Sequence, residues 1–421
     1  MEGSLDYLLG LDLAGFVAMF WYLIFLEGPR YILSAHLVAL SRVSAPRIEG
    51  TGFRSGQHRI SVLLACHNNA DKLPFAARSI AEQTIGKVQV VVVNDGSTDE
   101  TDAVVKSLLR LGLVDVYQKT DVRCGKAAAL NLGFRYCTGD FVVTADADTS
   151  YDRDAFEKLM VAFDDPKVGA VAGNIAVRNW QQNLLTRMQA IQYLISISVG
   201  RQVNAMFDIL FIVSGAFGAF RREAITAVGG WDVGPGDDSN LTIKVRRAGW
   251  RIEFAPDAWS MTDVPANMTA FTNQRLRWNR SLIRNRFRKF RSALNPGTAQ
   301  FSLTDALGII DVLFFQAALA FAWFFYLGWL FYNYGSFGWT VLGAVTVVQI
   351  IVTVMTFLAA GAAARRHARL SLLPFSILYS LFVSYLLRAI RVVAYLDELI
   401  FRHSYSDSFV PRHVRNRLER F

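Results

Sequence analysis

Four long apolar segments constrain this chain more than any other feature of its sequence. They are nearly free of charge, and the third is longer than the roughly 20 residues that a helix needs to cross a bilayer. They concentrate the apolar residues, which make up 52% of the chain, so that the middle reads as an ordinary globular sequence. We therefore predict a membrane protein with a large water-facing domain and helices at residues 7–26, 312–332, 337–364 and 370–387.

Basic residues beside the apolar segments predict the orientation of the chain. The stretch 29–47 after the first segment is basic, and the loop 365–369 reads RRHAR. By the positive-inside rule, the middle domain and this loop lie in the cytoplasm. The membrane that we expect is the plasma (inner) membrane. Four spans would put the basic C-terminal tail outside. Either segment 370–387 does not span, or the tail is an exception to the rule.

The middle of the chain alternates short apolar runs with amphipathic stretches. The runs at 60–65, 88–95 and 139–148 are typical of strands, and the second is rich in β-branched residues, as in strands buried on both faces. Residues 72–84 and 99–112 are typical of helices. The alternation predicts an α/β domain with a mostly parallel sheet and a ligand site at the carboxyl ends of its strands.

Carboxylates follow two of these runs, at Asp95 and at the pair Asp146 and Asp148. An aspartate after a strand often caps the next helix, and for Asp95 this alternative stays open. The pair is more informative, because residues two apart in an extended chain point the same way and their charges repel unless a cation lies between them. Oxygen ligands of this kind suit Mg²⁺ or Mn²⁺ shared with a diphosphate.

Six motifs follow one another along the middle of the chain. They are NDGSTD (94–99), GKAAALN (125–131), DAD (146–148), SGAFGAFRR (214–222), GGWD followed by GDDSNLT (229–242), and QRLRW (274–278). In this order they make the chain resemble the membrane-embedded family 2 glycosyltransferases, which include synthases of cellulose, chitin, hyaluronan and poly-N-acetylglucosamine. QRLRW is the sharpest element, since it matches a signature of the chain-extending members. The resemblance implies a GT-A-type, Rossmann-like domain beside a helical transmembrane bundle.

The resemblance implies roles for four residues at the donor. Asp95 would hold the uridine part of a UDP-sugar, and Lys126 would contact the nucleotide. Asp148 would bind the metal ion directly, while Asp146 would contact the nucleotide-sugar. The first strand departs from the family pattern, because Asn69 occupies the position of a usual Glu.

The resemblance also implies a catalytic base. Alignment on Leu241 makes Asp238 the base and Asp237 the substitute for a usual Glu, whereas Asn240 replaces a frequent Asp. One base without an enzyme nucleophile implies a single in-line displacement with inversion. An α-linked UDP-sugar would then give a β-linked product.

QRLRW would complete the site. By resemblance, Gln274, Arg275 and Arg277 would bind the nucleotide-sugar through its diphosphate, and Trp278 would stack under the acceptor sugar. The surrounding stretch also has the pattern of a basic amphipathic helix in the membrane interface, and headgroup anchoring alone is the alternative. The stretch 183–197 has a similar apolar stripe, which fits a second interfacial helix or an ordinary core helix.

The implied function is the transfer of a hexosyl group from a UDP-sugar to a growing β-linked polysaccharide, coupled to secretion. The alternative is non-processive addition of one sugar to a lipid carrier or glycolipid; a weakly catalytic scaffold is disfavoured by the retained acidic motifs. Expected partners are the donor, a glycan or lipid-linked acceptor, membrane lipids, and export or accessory subunits, but no nucleic acid. The predicted divisions are an anchor and linker (1–45), the transferase domain (46–270), the interfacial helix (271–300), the C-terminal membrane segments (301–398) and a basic tail (399–421).

Overall fold

A computed structural model describes residues 6–7, 10–28, 34, 36–38, 40–41, 58–298, 301–364, 369–407 and 410–416. Most of the basic stretch 29–47, loop residues 365–368 and the last residues of the basic tail lie outside the described residues. The orientation predicted from these stretches therefore stays a prediction.

One mixed sheet of eight strands forms the centre of the middle domain, counted over the described residues. The strands lie in the order β3-β2-β1-β4-β7-β6-β8-β5, and β3, β2, β1 and β4 are parallel. The strands are β1 (Ile60–Cys66), β2 (Gln89–Asp95), β3 (Val116–Thr120), β4 (Phe141–Asp146), β5 (Ser150–Tyr151), β6 (Val168–Val177), β7 (Phe217–Arg221) and β8 (Arg251–Thr262).

The prediction of a mostly parallel sheet is right for β1 to β4 and for β6 with β8. It is wrong for β7, which is antiparallel to both β4 and β6, and for β5, which is antiparallel to β8. Strand β6 ends at the same edge as β1, β2 and β4. The chain then forms helices at that edge without crossing to the other one, so it must enter β7 in the reverse direction. This connection also brings those helices beside the carboxyl ends of the parallel strands.

Helices cover both faces of the sheet. Side chains of α2, α3 and α5 pack with one face, and those of α4, α8 and α9 pack with the other. The helices are α1 (Leu13–Trp21), α2 (Leu73–Ala81), α3 (Thr101–Arg110), α4 (Lys126–Phe134), α5 (Ala155–Met160), α6 (Leu184–Gln192), α7 (Gly200–Met206), α8 (Arg222–Ala227), α9 (Asp237–Arg247), α10 (Met268–Ile283), α11 (Leu303–Val312), α12 (Leu319–Tyr334), α13 (Gly338–Ala364), α14 (Leu373–Leu381), α15 (Arg388–Phe401) and α16 (Arg412–Arg415).

Helix α6 continues through a π-helical turn, Tyr193–Val199, into α7. Its apolar stripe through Met188, Ile191 and Ile195 is buried in a cluster with side chains of β6, α13 and α14. This burial agrees with the core-helix alternative for most of the stretch, although Leu184 is half-exposed. The helix thus connects the sheet to the apolar helices.

Two helices in the described part of the chain are apolar and long enough to cross a membrane, Leu303–Ala364 and Leu370–Phe401, and Leu13–Glu27 is a shorter apolar helix. The first turns back at Gly335, whose φ is 51°, so that side chains of α12 and α13 share one cluster with Tyr22. The second corrects the predicted end at Leu387. Arg388, the first charged residue beyond that end, is buried and lies 2.7 Å from Glu27 as an ion pair.

Candidate active site

The carboxyl ends of β2 and β4 carry the acidic residues that the sequence predicts at this edge. Asp95, only 3% exposed, accepts hydrogen bonds from the backbone N–H groups of Cys124 (2.6 Å) and Gly125 (2.7 Å). These contacts fix the loop that leads into α4 and its first residue, Lys126. Asp95 therefore has a clear structural task in shaping the donor loop, and its contact with uridine stays a prediction.

Lys126 connects the acidic groups of the site. Its Nζ lies 2.5 Å from Oδ1 of Asp146. Although burial opposes the charged form, Asp146, Asp237 and Asp238 together hold the pKa of Lys126 above its usual range. Lys126, which the sequence predicts to contact the nucleotide, thus lies between the Asp146–Asp148 pair and Asp238, the predicted base.

The Asp146–Asp148 pair has the chemistry of a site for a divalent cation. Burial, and then the neighbouring Asp146 carboxylate, raise the pKa of Asp148. A cation at the pair would relieve this repulsion. The described residues contain no group of three or more His, Cys, Asp and Glu side chains that could hold a metal, so diphosphate oxygens and water would have to supply most of the coordination.

Asp237 and Asp238 form the first turn of α9, directly after Gly236, whose φ is 75°. Burial, and then repulsion from Asp237, raise the pKa of Asp238 to about 6. The N–H of Ser239 donates to Oδ1 of Asp238 at 2.7 Å, which leaves the second carboxylate oxygen for another partner. A carboxylate with this pKa is suited to accept a proton near neutral pH.

QRLRW lies on α10, and its four predicted residues differ in their surroundings. Arg277 is partly buried, and the opposing charges of Asp407, Asp237 and Asp238 act against the burial that lowers its pKa. The Trp278 ring is 40% exposed. The structure thus brings Arg277 towards the acidic groups and leaves Trp278 with a free face.

The side chains of Arg275 and Gln274 are more deeply buried than that of Trp278. The Arg275 guanidinium is 5% exposed and lies 4.3 Å from the centre of the Trp278 ring and 5.0 Å from that of Phe271. Burial lowers its pKa, and Tyr193 and Tyr379 act against this change. The Oε1 of Gln274 is buried with no hydrogen-bond partner among the described residues. The predicted diphosphate contacts of both residues stay predictions.

Two residues outside the sequence motifs lie beside predicted site residues and were not predicted. Burial lowers the pKa of Arg201 on α7 to about 10, and the charge of Asp238 opposes that shift. From the C-terminal part, Pro411 lies close to Gly125, where an added Cβ would be 3.4 Å from its ring. Each is far in sequence from the residue that it approaches, so only the fold shows these contacts.

The eight-stranded sheet, with helices on both faces and carboxylates at its strand ends, is a GT-A-like α/β domain. Residues 61–229 match the profile of the family described as Glycosyl transferase family 2. This segment of the chain is therefore similar to the family 2 glycosyltransferases, a class of nucleotide-sugar-dependent transferases.

Two curated relatives share 31% identity with the chain. One is a "Poly-beta-1,6-N-acetyl-D-glucosamine synthase" of Staphylococcus aureus (strain MSSA476), aligned over 224 residues, which is 52% of this chain and 53% of the relative. The other is an "N-acetylglucosaminyltransferase" of Bradyrhizobium diazoefficiens, aligned over 265 residues, which is 59% of this chain and 53% of the relative. The chain thus spans about half the length of these relatives.

One solved structure covers most of the chain, the mannosyltransferase PcManGT from Pyrobaculum calidifontis in complex with GDP-Man and Mn²⁺. It aligns with a TM-score of 0.59 and 20% identity, over 89% of this chain and 96% of its own. This similarity concerns the fold, which extends beyond the residues matched by the family profile.

Proposed function

We propose that this protein is an inverting, UDP-sugar-dependent hexosyltransferase that extends a β-linked polysaccharide, with UDP-N-acetylglucosamine as its donor. The observation that carries the proposal is the arrangement of Asp238, with a pKa near 6, beside Lys126 and its partner Asp146. A base and a diphosphate-binding cation in one site are what displacement of UDP by a hydroxyl requires. The choice of donor rests on the names of the two relatives.

Each residue has one task in this reaction. Asp238 accepts the proton of the acceptor hydroxyl as that oxygen attacks the anomeric carbon, and Lys126 and Arg277 stabilise the negative charge that develops on the departing UDP. Trp278 offers its exposed face to the acceptor sugar. Asp237 keeps the pKa of Asp238 high by like-charge repulsion.

Mg²⁺ or Mn²⁺ would be held by Asp148, with Asp146 shared between the ion and Lys126. When bound, such an ion neutralises charge on the diphosphate leaving group. The likeness to the mannosyltransferase described with Mn²⁺ is one of fold, so the proposal rests on the two carboxylates and the raised pKa of Asp148.

A cavity of about 280 Å³ between the apolar helices supports a path for the acceptor. Its lining includes Gln192 next to the π-helical turn Tyr193–Val199, and also Tyr379 and Arg391. Tyr379 and Arg391 both act on the charge of Arg275, which also contacts Trp278. Arg275 therefore lies between the cavity and Trp278, which is the proposed acceptor platform.

The same cavity also supports the alternative function, the addition of one sugar to a lipid carrier or glycolipid. Apolar side chains, including Leu23, Val352 and Val383, line it together with Gln349 and Ser384. A mixed lining could take a sugar chain through polar contacts or the tail of a lipid acceptor through apolar ones. We propose the polysaccharide, with the catalytic domain in the cytoplasm and export through an inner-membrane bundle.

Product length tests the proposal. The purified protein in lipid nanodiscs is incubated with UDP-N-acetylglucosamine, UDP-glucose or UDP-galactose and Mn²⁺, and the products are measured by mass spectrometry. A ladder made from UDP-N-acetylglucosamine alone would support the proposal. One added sugar that requires a lipid acceptor would establish the alternative, and no transfer from any donor would contradict both.

A further inference from the structure

The turn that follows α10 differs from the lipid-facing helix that its sequence predicts. Residues Arg284–Lys289, named here the basic turn, form a π-helical turn. Arg284, Asn285 and Arg286 in this turn are each less than 5% exposed. π-helical turns within α-helices are frequent at functional sites, and this one contacts the first turn of α9, which carries Asp237 and Asp238.

Asn285 provides such a link. Its side-chain Nδ2 donates to the carbonyl oxygen of Gly236 at 3.0 Å and to Oγ of Ser239 at 2.9 Å. The hydroxyl of Ser239 in turn donates to the same Gly236 oxygen at 3.0 Å. The two amide hydrogens of Asn285 therefore bond to the residues that flank Asp237 and Asp238. Only a residue with two donors at this position can make both bonds.

These bonds fix the turn from which the base projects. Gly236 has a φ of 75°, and an added Cβ would lie 2.9 Å from Nδ2 of Asn285 and 3.0 Å from Ser281. The backbone N–H of Ser239 donates to the carboxylate of Asp238 at 2.7 Å. A movement of Ser239 would therefore rotate or release that carboxylate. Asn285, which is fully buried, holds Ser239 from the side of α10.

We propose that Asn285 is the positioning residue for the base Asp238, acting through its paired hydrogen bonds to Gly236 and Ser239. This role rests on the proposed transferase function and assigns it a residue outside the acidic and QRLRW motifs. It also connects the helix that carries Trp278 to the residue that deprotonates the acceptor. The acceptor platform and the base are thereby kept in one geometry.

Replacement of Asn285 by Asp tests the role with almost no change in size. The carboxylate removes both donors, faces the Gly236 oxygen and adds a negative charge near Asp238, which adds to the existing repulsion. We expect kcat to fall about tenfold or more, and the acid limb of the kcat–pH profile to move to higher pH. The affinity for UDP, measured by calorimetry, should change less than about twofold, since no donor contact is altered.

The other charges around Asp238 are the same in every variant, so the pH shift can be assigned to the substitution. They are Asp237, Lys126, Arg201, Arg277 and Arg286. Asn295→Asp is the matched control, because this residue beyond the basic turn is exposed. Within the described part of the chain its side chain makes one hydrogen bond, in which Oδ1 accepts from the N–H of Gly297. It should retain the kcat and pH profile of the unaltered protein.

The outcomes separate this inference from the proposed function. If Asn285→Asp has the kcat and acid limb of Asn295→Asp, the positioning role is wrong while the transferase survives. If Asn285→Asp does not fold, Ser239→Ala removes only the hydroxyl that Asn285 contacts, and an unchanged kcat in that variant would equally refute the role. An unaltered protein without transfer activity would overturn the proposed function and this role together.

Discussion

The acidic residues of the candidate site and the basic turn differ in whether their charges are paired within the protein. In the acidic region, Asp148 lies beside Asp146 at the end of β4, and Asp238 lies beside Asp237 in the first turn of α9. Burial, and then the like charge of the neighbour, raise the pKa of Asp148 and of Asp238. In the basic turn, Arg288 lies 2.6 Å from Glu398, and Lys289 pairs with Asp232. Repulsion that the fold leaves in place indicates a site for a ligand, whereas charges already paired within the protein hold its parts together.

The largest effect in this comparison is expected at the base. Asp238→Asn removes the proton acceptor and also the repulsion from Asp237. Transfer should fall by about 10²–10⁴-fold, while UDP still binds and the melting temperature does not decrease. Transfer rates and UDP affinity of purified variants measure this. Asp164→Asn, which changes an exposed carboxylate in the same domain, should behave like the unaltered protein; full turnover by Asp238→Asn would remove Asp238 from its role.

The strand-end pair should show a metal requirement. Chelation should stop transfer, and added Mg²⁺ or Mn²⁺ should restore it, because the diphosphate charge needs compensation. Asp148→Asn should raise the metal concentration needed for half-maximal rate by about tenfold or more, as loss of a metal-binding carboxylate would. Titration of activity with Mn²⁺ measures both effects. Undiminished activity in excess chelator would show that Lys126 and the arginines suffice without a metal.

The difference between the two regions also explains what the sequence could predict. Strands β1 and β2 were predicted within about a residue of their observed bounds, Ile60–Cys66 and Gln89–Asp95, because burial on both faces leaves a continuous apolar run. Strand β3 (Val116–Thr120) is short and partly polar, and its pairing with β2 defines it. Such a strand has little local signal, since the neighbouring strand decides whether it forms.

The residues of the candidate site also divide into those that the sequence could predict and those that it could not. The acidic residues were predicted because their motifs are local in sequence, and Lys126 lies within reach of three of them. The inward direction of the basic turn was not predicted, since its partners Glu398 and Asp232 are more than 50 residues away. A pattern of basic and apolar residues is the same whether the charges face lipid or distant carboxylates.

A smaller effect concerns pH. Because the base must be ionised and its pKa is about 6, kcat/KM should be level above that pH and fall as the pH drops below it, tenfold per unit at the limit. Rates from pH 5 to 8 with saturating metal measure the limb. Asp237→Asn removes the neighbouring charge, so it should move the limb to lower pH. A limb that stays in place would mean that burial alone raises the pKa of Asp238.

The smallest effect on catalysis is expected in the basic turn, at Arg288. Its guanidinium is the ion-pair partner of Glu398, a carboxylate with no exposed surface that also accepts from Ser404. Arg288→Met leaves this charge uncompensated, which costs about 3–5 kcal/mol for a buried pair. Thermal unfolding in nanodiscs should therefore give Arg288→Met a lower melting temperature than Arg291→Met. The latter is the control, because Arg291 is exposed and lies just after the basic turn. Activity per folded molecule should change less than twofold, because among the described residues the bonds of Arg288 go to Glu398 and reach neither Asp237, Asp238 nor QRLRW. A large loss of kcat with unchanged stability would reverse the distinction, since it would make a paired charge part of the chemistry.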